Sequence, residues 1–536
     1  MNDTHPSDPT ISFHGAAGGV TGSCFLIRHA QGSLLLDCGL FQGPKTEQEL
    51  NYRDFAFDVT EPAALVLTHA HIDHSGLIPK LYRHGFQGPV VTTHGTADLL
   101  TFMLPDSGHI QETEVRHLNQ RNRQRGRREV EPIYTRMDAE RCLSHIRAVD
   151  RDIWVDVAPG VRARFWDAGH ILGSASVELE LPGAEGPVRM VFSGDLGPGD
   201  KPFHPDPNGP LRPGWLVVES TYGGRERPVI DATSRRLILA DELRAALKRG
   251  GPVVIPAFAV ERTQELLYDL DLLFDSKELP AVDVFLDSPL AVNVTRIFDK
   301  HLPDVNQPGT PAPFSRRNLH LIEEVEASKR LNRLTGNAII IAASGMCEAG
   351  RIRHHLKNHL WRNSATVLLV GYQAPATLGR LLQDGVSRVR IQGEEVEVRA
   401  TIRTIDAYSG HADRAGLMQW ILARLPVSGG IFLVHGEDQE RVALRASLIE
   451  AGLDGNKIHL PGLDEVWGLT GRGAKPLTPT HPPRIDKAAV AKPDWHNDYA
   501  ATVLALADSV RKMRDDKKRA ALLAKVREAL AADDPG

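Results

Sequence analysis

The sequence predicts an α/β protein in which a strand-rich domain carrying a metal site is interrupted by a second domain of alternating strands and helices. Three observations predict it. The apolar run Ala64-Leu65-Val66-Leu67 reads as a strand and leads straight into Thr68-His69-Ala70-His71-Ile72-Asp73-His74, a ligand-dense loop at a strand end. Further strand-like segments, Val161–Trp166, Ala175–Leu181, Val188–Phe192 and Trp215–Val218, each end near a polar residue able to do chemistry, as expected where a rigid scaffold presents a site on its loops. From about Pro228 the texture changes, and helix-like stretches alternate with short, wholly apolar runs of the kind buried in a parallel sheet.

Taken in order, Ser33–Leu36 is a strand running into Asp37-Cys38-Gly39, and Pro89–Val91 is another short one. A polar, basic stretch from Asn119 to Arg128 carries Arg121, Arg123, Arg125, Arg127 and Arg128. It reads as a solvated helix or lid, or else as a flap contacting phosphate near the site. In the second domain, Ser234–Lys248 and Arg262–Leu273 read as helices, and Val253–Pro256, Ala281–Leu286, Ala338–Ala342 and Thr366–Val370 as strands. A loop is expected over Gln307–Pro313. The chain then returns to the first domain, with a strand over Ile431–Val434 and a helix over Arg441–Ala451. A Pro-rich linker over Lys475–Lys487 and a charged helix over Asn497–Ala532 close the chain. The expected divisions are residues 1–225, 226–400, 401–465 and 466–536.

At 536 residues, 42% hydrophobic and 24% charged, the composition is that of an ordinary soluble protein with room for two or three cores. A net charge of −5 argues against a chain that coats nucleic acid generally, but leaves room for a locally basic channel. Cys24, Cys38, Cys142 and Cys347 are scattered without CxxC spacing, which fits reduced, buried thiols. No signal-peptide pattern is present and no apolar run reaches the ~18 residues needed to cross a bilayer, so a cytoplasmic location without membrane contact is expected.

The run from His69 to His74 places four potential ligands within six residues. His69 and His71, two apart on extended chain, point to one side and would chelate one metal. Asp73 and His74 lie where the chain turns and would reach a second. Imidazole and carboxylate donors suit zinc, with manganese as the alternative, and paired metals serve hydrolysis, often of phosphate esters. His170, within Asp167–Ser174, and Asp195, within Phe192–Gly197, sit in glycine-flanked loops after strands and are further candidates.

Asp37, the His69–His74 run, His170 and Asp195 resemble the successive signature motifs of the metallo-beta-lactamase fold, an αββα four-layer sandwich with metals at one edge. Val218-Glu219-Ser220-Thr221-Tyr222-Gly223, Tyr408-Ser409-Gly410-His411-Ala412-Asp413 and Leu433-Val434-His435-Gly436 resemble the later motifs of its beta-CASP subfamily, whose α/β domain is inserted into that sandwich. Ile341–Met346 and Gly371–Gly379 are similar to further segments of this group, and the resemblance covers about residues 10–465.

The resemblance implies one metal held by His69, His71 and His170 and another by Asp73, His74 and His435, with Asp195 bridging and Asp37 orienting the ligands from behind. Asp73, Asp195, Glu219 and His411 are the implied catalytic residues, with His411 as proton donor to the leaving group and Glu219 orienting it and holding it protonated. The implied cofactor is a pair of Zn(2+) ions. The implied activity is hydrolysis of phosphodiester bonds in single-stranded RNA, in processing or decay, by a hydroxide activated between two metals. A histidine in the third late motif, here His435, points to RNA rather than DNA. Ser344 and Gly345 after an apolar strand, with Arg262 and Arg351, are candidates for holding RNA phosphates. A homodimer is a family habit. The competing readings are a DNA nuclease of the same family and a small-molecule thioester or lactone hydrolase. The second leaves Glu219, His411 and the inserted domain without a purpose.

Overall fold

Successive leucines of one strand set the architecture. Leu34 and Leu36 of Gly32–Leu36 join one apolar cluster with Phe13, Phe25, Phe192, Trp215 and Phe432, whereas Leu35 joins another with Leu65, Leu99 and Leu100. Both faces of the strand are buried, so it lies inside a layered stack. Trp215–Glu219 behaves alike, with Val217 facing the first cluster and Leu216 and Val218 facing a third that contains Leu417, Ile421, Leu444 and Leu448. Each fully buried side chain of this size contributes about 1.5–3 kcal/mol. A slip of one residue would exchange the two sets across the sheet.

The computed structural model describes residues 8–43, 45–184, 186–228, 230–305, 314–374, 377–470, 473–478, 484, 510, 513 and 515–532. One sheet runs, in spatial order, Gly473–Leu477, Val466–Thr470, Thr10–Phe13, Phe25–His29, Gly32–Leu36, Pro62–Val66, Val90–Thr93 and Ile146–Val149. The second runs Ile458–His459, Gly430–Val434, Trp215–Glu219, Val188–Phe192, Ala175–Leu181, Val161–Asp167 and Val155–Ala158. The two sheets pack on the aromatic cluster, and helices cover their outer faces, which is the four-layer αββα sandwich.

The inserted sheet is entirely parallel, in the order Leu319–Leu321, Val284–Leu286, Ile339–Ala342, Val253–Pro256, Thr366–Val370 and Thr401–Ile405. Val253 and Ile255 face one helical layer and Val254 the other, which is why the sequence reads as unbroken apolar runs. Ion pairs hold this domain to the first: His204 Nε2 lies 2.7 Å from Glu261 Oε2, and Lys201 meets Glu265.

The expected divisions shift at two places. Thr401–Ile405 pairs in parallel with Thr366–Val370, so the inserted sheet continues past residue 400. Val466–Thr470 pairs with Thr10–Phe13, and Gly473–Leu477 forms the sheet edge, where Pro476 is tolerated. The sandwich therefore continues beyond residue 465. The basic stretch 119–128 belongs to the exposed end of a long helix, His94–Gln124, and the turn after it. The expected loop over 307–313 and the first part of the expected terminal helix lie outside the described residues; Asp516–Ala532 is helical. Residues 43–49 and 485–536 cluster as a second, small unit, of which that helix is the main described part. All four cysteines are free and buried. Among the described residues no helix is long and apolar enough to cross a membrane.

Candidate metal centre

The strand Pro62–Val66 runs on to buried Thr68 and His69, after which the chain turns into the short helix Ile72–Ser75 that carries Asp73 and His74. Two loops lock this turn: Ser23, just before the strand Phe25–His29, donates its N–H to the Asp73 carbonyl (2.8 Å), and Cys38, after the neighbouring strand Gly32–Leu36, donates its N–H to the His74 carbonyl (2.7 Å). Gly39 is needed there, because a Cβ would sit 1.6 Å from the Asp73 carbonyl oxygen. Gly197 plays the same part in the second sheet, where a Cβ would sit 1.6 Å from the Gly169 carbonyl, beside His170.

The structure brings the candidate ligands into two adjoining groups. In one, His71 Nδ1 lies 3.2 Å from His69 Nε2 and 3.1 Å from His170 Nε2. In the other, Asp73, His74 and His435 present ligand atoms within 4.8 Å of one another. Asp195 stands between them. Its Oδ2 faces His69 (3.5 Å) and His170 (3.6 Å), and its Oδ1 faces His74 (3.2 Å) and His435 (3.5 Å).

Partners on the far side of three of the rings fix which nitrogen faces inward. His170 Nδ1–H donates to the Gly410 carbonyl (2.6 Å), leaving Nε2 for a ligand bond. His74 Nδ1–H donates to Asp37 Oδ2 (2.7 Å), with the same result. Asp37 also accepts from Thr68 N–H (2.8 Å) and the Thr68 hydroxyl (2.9 Å), so it orients strand and ligand together. The Thr221 hydroxyl sits 3.1 Å from His435 Nδ1. Asp37 (φ 57°) and His435 (φ 49°) both adopt left-handed backbone, a strained choice for residues other than glycine and one found at functional sites.

The electrostatics suit cations. Burial holds His69 and His170 well below the ordinary histidine range and His71 down at about 4, so these rings are neutral donors. For His74, burial is outweighed by the charges of Asp195 and Asp37, which hold it well above that range. For Asp195, burial is outweighed by His435, His74 and His69, which keep it ionised. The buried Asp195 Oδ1 and His435 Nε2 lack hydrogen-bond partners, and ring nitrogens of His69, His71 and His170 converge to within about 3 Å. Buried polar atoms left this way call for an ion between them, and the donor set of imidazoles and carboxylates fits two zinc-like cations.

Beside this centre, Glu219 Oε1 lies 3.3 Å from His411 Nδ1, and the His411 nitrogen lies 4.0 Å from Asp195 Oδ2. The four candidate phosphate contacts are placed differently. Ser344 and Gly345 form a tight turn, with Cys347 N–H donating to the Ser344 carbonyl (3.1 Å) and Gly345 buried under the Phe258 ring. Arg262 is buried and its guanidinium donates to the Val370 carbonyl. Arg351 pairs with Asp287 (2.6 Å) and donates to the Ile322 and Glu323 carbonyls. Arg262 is thus an internal cation held by an internal acceptor, while Arg351 is bound to Asp287 and two carbonyls with its side chain 18% exposed. Thr68, Thr221 and the Gly410 carbonyl are supports that reading the sequence missed. Each lies within a quoted motif, but which histidine it serves is decided across the fold.

Residues 17–249 match the metallo-beta-lactamase superfamily, 263–382 the Beta-Casp domain and 395–461 the Zn-dependent metallo-hydrolase RNA specificity domain. The chain is 36% identical to ribonuclease TTHA0252 of Thermus thermophilus over 80% of its own length and 94% of that protein's. It is 31% identical to transcription termination factor FttA of Methanothermobacter thermautotrophicus over 80% of its length, spanning 66% of that protein. A crystal structure of an Enterococcus faecalis protein of unknown function matches 87% of the chain and all of that protein, with a TM-score of 0.50 at 12% identity, a likeness of fold. By these matches the chain belongs to the metallo-beta-lactamase/beta-CASP/RMMBL family of metallo-hydrolases.

Proposed function

We propose that the protein is a zinc-dependent ribonuclease that hydrolyses phosphodiester bonds of single-stranded RNA in RNA processing or decay. The observation that carries this reading is the third group, Asp195, Glu219 and His411, set against the two ligand groups. A thioester hydrolase has little use for it, because a thiolate leaves without a donated proton, whereas an expelled ribose oxygen needs one. The match to an RNA specificity domain over 395–461 and a relative named as a ribonuclease support RNA as the substrate.

His69, His71, His170 and Asp195 would hold one zinc, and Asp73, His74, His435 and Asp195 the other. When bound, such a pair supplies Lewis-acid activation of water near neutral pH and offsets charge on the phosphoryl oxygens. The chain's own residues do the rest. Asp73, partly open to solvent, would take up the proton that the attacking water gives up. The water oxygen bonds to phosphorus, the bond to the ribose oxygen breaks, and that oxygen leaves with the electron pair. His411 gives it a proton from Nε2, because Glu219 accepts from the Nδ1 side. Glu219 is itself held by Leu196 N–H (2.7 Å) and Thr221 N–H (3.2 Å), so the imidazole has one orientation.

The test is metal-loaded protein with single-stranded RNA labelled separately at each end, beside matched DNA and a protein carrying Asp73→Ala and His74→Ala. Metal-dependent cutting of RNA by the native chain alone is expected. Internal fragments mean an endonuclease, and mononucleotides from the 5′ end an exonuclease. Two bound metals with no cutting of RNA would overturn the reading.

A further inference from the structure

The carboxyl ends of three adjacent parallel strands in the inserted sheet carry aromatic or glycine turns at one edge. Phe258 follows Val253–Pro256, Gly345 follows Ile339–Ala342, and Tyr372 follows Thr366–Val370. Crevices at the carboxyl ends of parallel strands are where such sheets take ligands. Phe258 is 41% exposed and Tyr372 40%, although both sit above tightly packed backbone: a Cβ on Gly345 would meet the Phe258 ring, and Gln373 Nε2 donates to the Gly345 carbonyl (3.1 Å).

This edge continues into the metal centre through Tyr222. The Tyr222 ring lies edge-on to Tyr372 at 6.4 Å and edge-on to His411 at 5.9 Å. Two guanidinium groups lie over these rings, Arg227 4.0 Å from the Tyr222 centroid and Arg225 5.3 Å from that of Tyr372. The loop bearing them is pinned at both ends, since Gly224 N–H donates to Glu440 (2.7 Å) and Arg227 N–H to Asp413 (2.9 Å). Arg225 pairs with Glu440 (3.0 Å), whereas the Arg227 guanidinium meets no carboxylate among the described residues. Exposed aromatic faces beside cations are what unpaired bases and their phosphates bind: the base stacks and the phosphate meets the guanidinium.

We infer that Tyr372 and Phe258, with Arg225 and Arg227, form a stacking seat for the unpaired bases on the leaving-group side of the scissile phosphate, with half-buried Tyr222 joining it to His411. The side follows from Tyr222 adjoining His411, the residue that protonates the leaving oxygen. The seat selects single strands, because a base held in a duplex has no free face to offer it. This inference rests on the ribonuclease reading.

The experiment walks a single abasic ribose along an RNA oligonucleotide and measures kcat/KM at each position with the metal-loaded full chain. Mass spectrometry of the products identifies which nucleotide carries the freed hydroxyl. An about tenfold loss is expected when the base removed belongs to that nucleotide. In Tyr372→Ala the same abasic substitution should cost less than about twofold, since the two changes remove one contact, and Tyr372→Phe should restore the discrimination. If the native chain cuts intact and abasic RNA alike, if the sensitive base lies across the scissile bond from the freed hydroxyl, or if Tyr372→Ala keeps the full penalty, the seat is overturned while the ribonuclease reading stands. If the native chain cuts no RNA, both fall. The abasic walk on the native chain needs no variant, so a poorly folding Tyr372→Ala does not spare the inference.

Discussion

Glu219 Oε1 accepts from the Leu196 backbone at 2.7 Å and faces His411 Nδ1 at 3.3 Å, tying a residue at the end of a central strand to one 192 positions later. The pair rests against the Asp195 carboxylate and the His170 ring but gives no atom to either histidine ligand group, so it can be broken while the metals stay. His411→Ala and Glu219→Gln should lower turnover by about 10²–10⁴ with metal content per chain unchanged by elemental analysis. If metal content falls in step with activity, the pair is part of the ligand set and the proton-donor role is wrong.

Asp195 shows one oxygen to each ligand group. An amide keeps the shape but loses the charge and one acceptor. Asp195→Asn should therefore bring metal content from two ions per chain to below one. Retention of both ions would mean that the histidines and Asp73 hold them unaided.

A methyl at Gly39 would sit 1.6 Å from the Asp73 carbonyl, and backbone there has nowhere to move. Gly39→Ala should cost at least about 2 kcal/mol and displace Asp73 and His74. Calorimetry with metal analysis checks this: a lower melting temperature with loss of at least one ion is expected, and normal values for both would show that the loop yields.

The inserted domain contains a separate acid-sensitive group. His359 is buried, and burial, followed by the charges of Arg362 and His355, lowers it to about 3. An unfolded histidine titrates near ~6.5. Between these values only the unfolded chain binds the proton, so stability falls as pH drops from ~6.5 toward about 3 and levels off below. His359→Leu should flatten that fall by about 3 kcal/mol between about pH 7.5 and about pH 4.5. Urea midpoints of both proteins at about pH 7.5 and about pH 4.5 measure it; equal pH slopes would show that His359 carries no such coupling.

The His69–His74 run was legible because strand, turn and helix bring its ligands into reach within six residues, with local geometry alone. The parallel strands of the inserted domain were legible for a similar reason: burial on both faces leaves an unbroken apolar run. The internal bonding of Arg262 was not, since a charge looks the same in sequence whether it faces water or an internal carbonyl. The strands Val466–Thr470 and Gly473–Leu477 were missed because an edge that holds a proline and exposed residues carries little periodicity.

By itself, then, the sequence determined the donor chemistry and the layered α/β plan, because both depend on residue type and short-range period. The tertiary structure alone decided the rest. It set Asp195 between two histidine groups drawn from three separate strand ends, gave His74, His435 and His170 their inward nitrogens through Asp37, Thr221 and Gly410, and brought Tyr222 and Tyr372 from two domains to one edge beside His411. Those relationships span tens to hundreds of residues, and only the packing of the sheets fixes which distant loops share a rim.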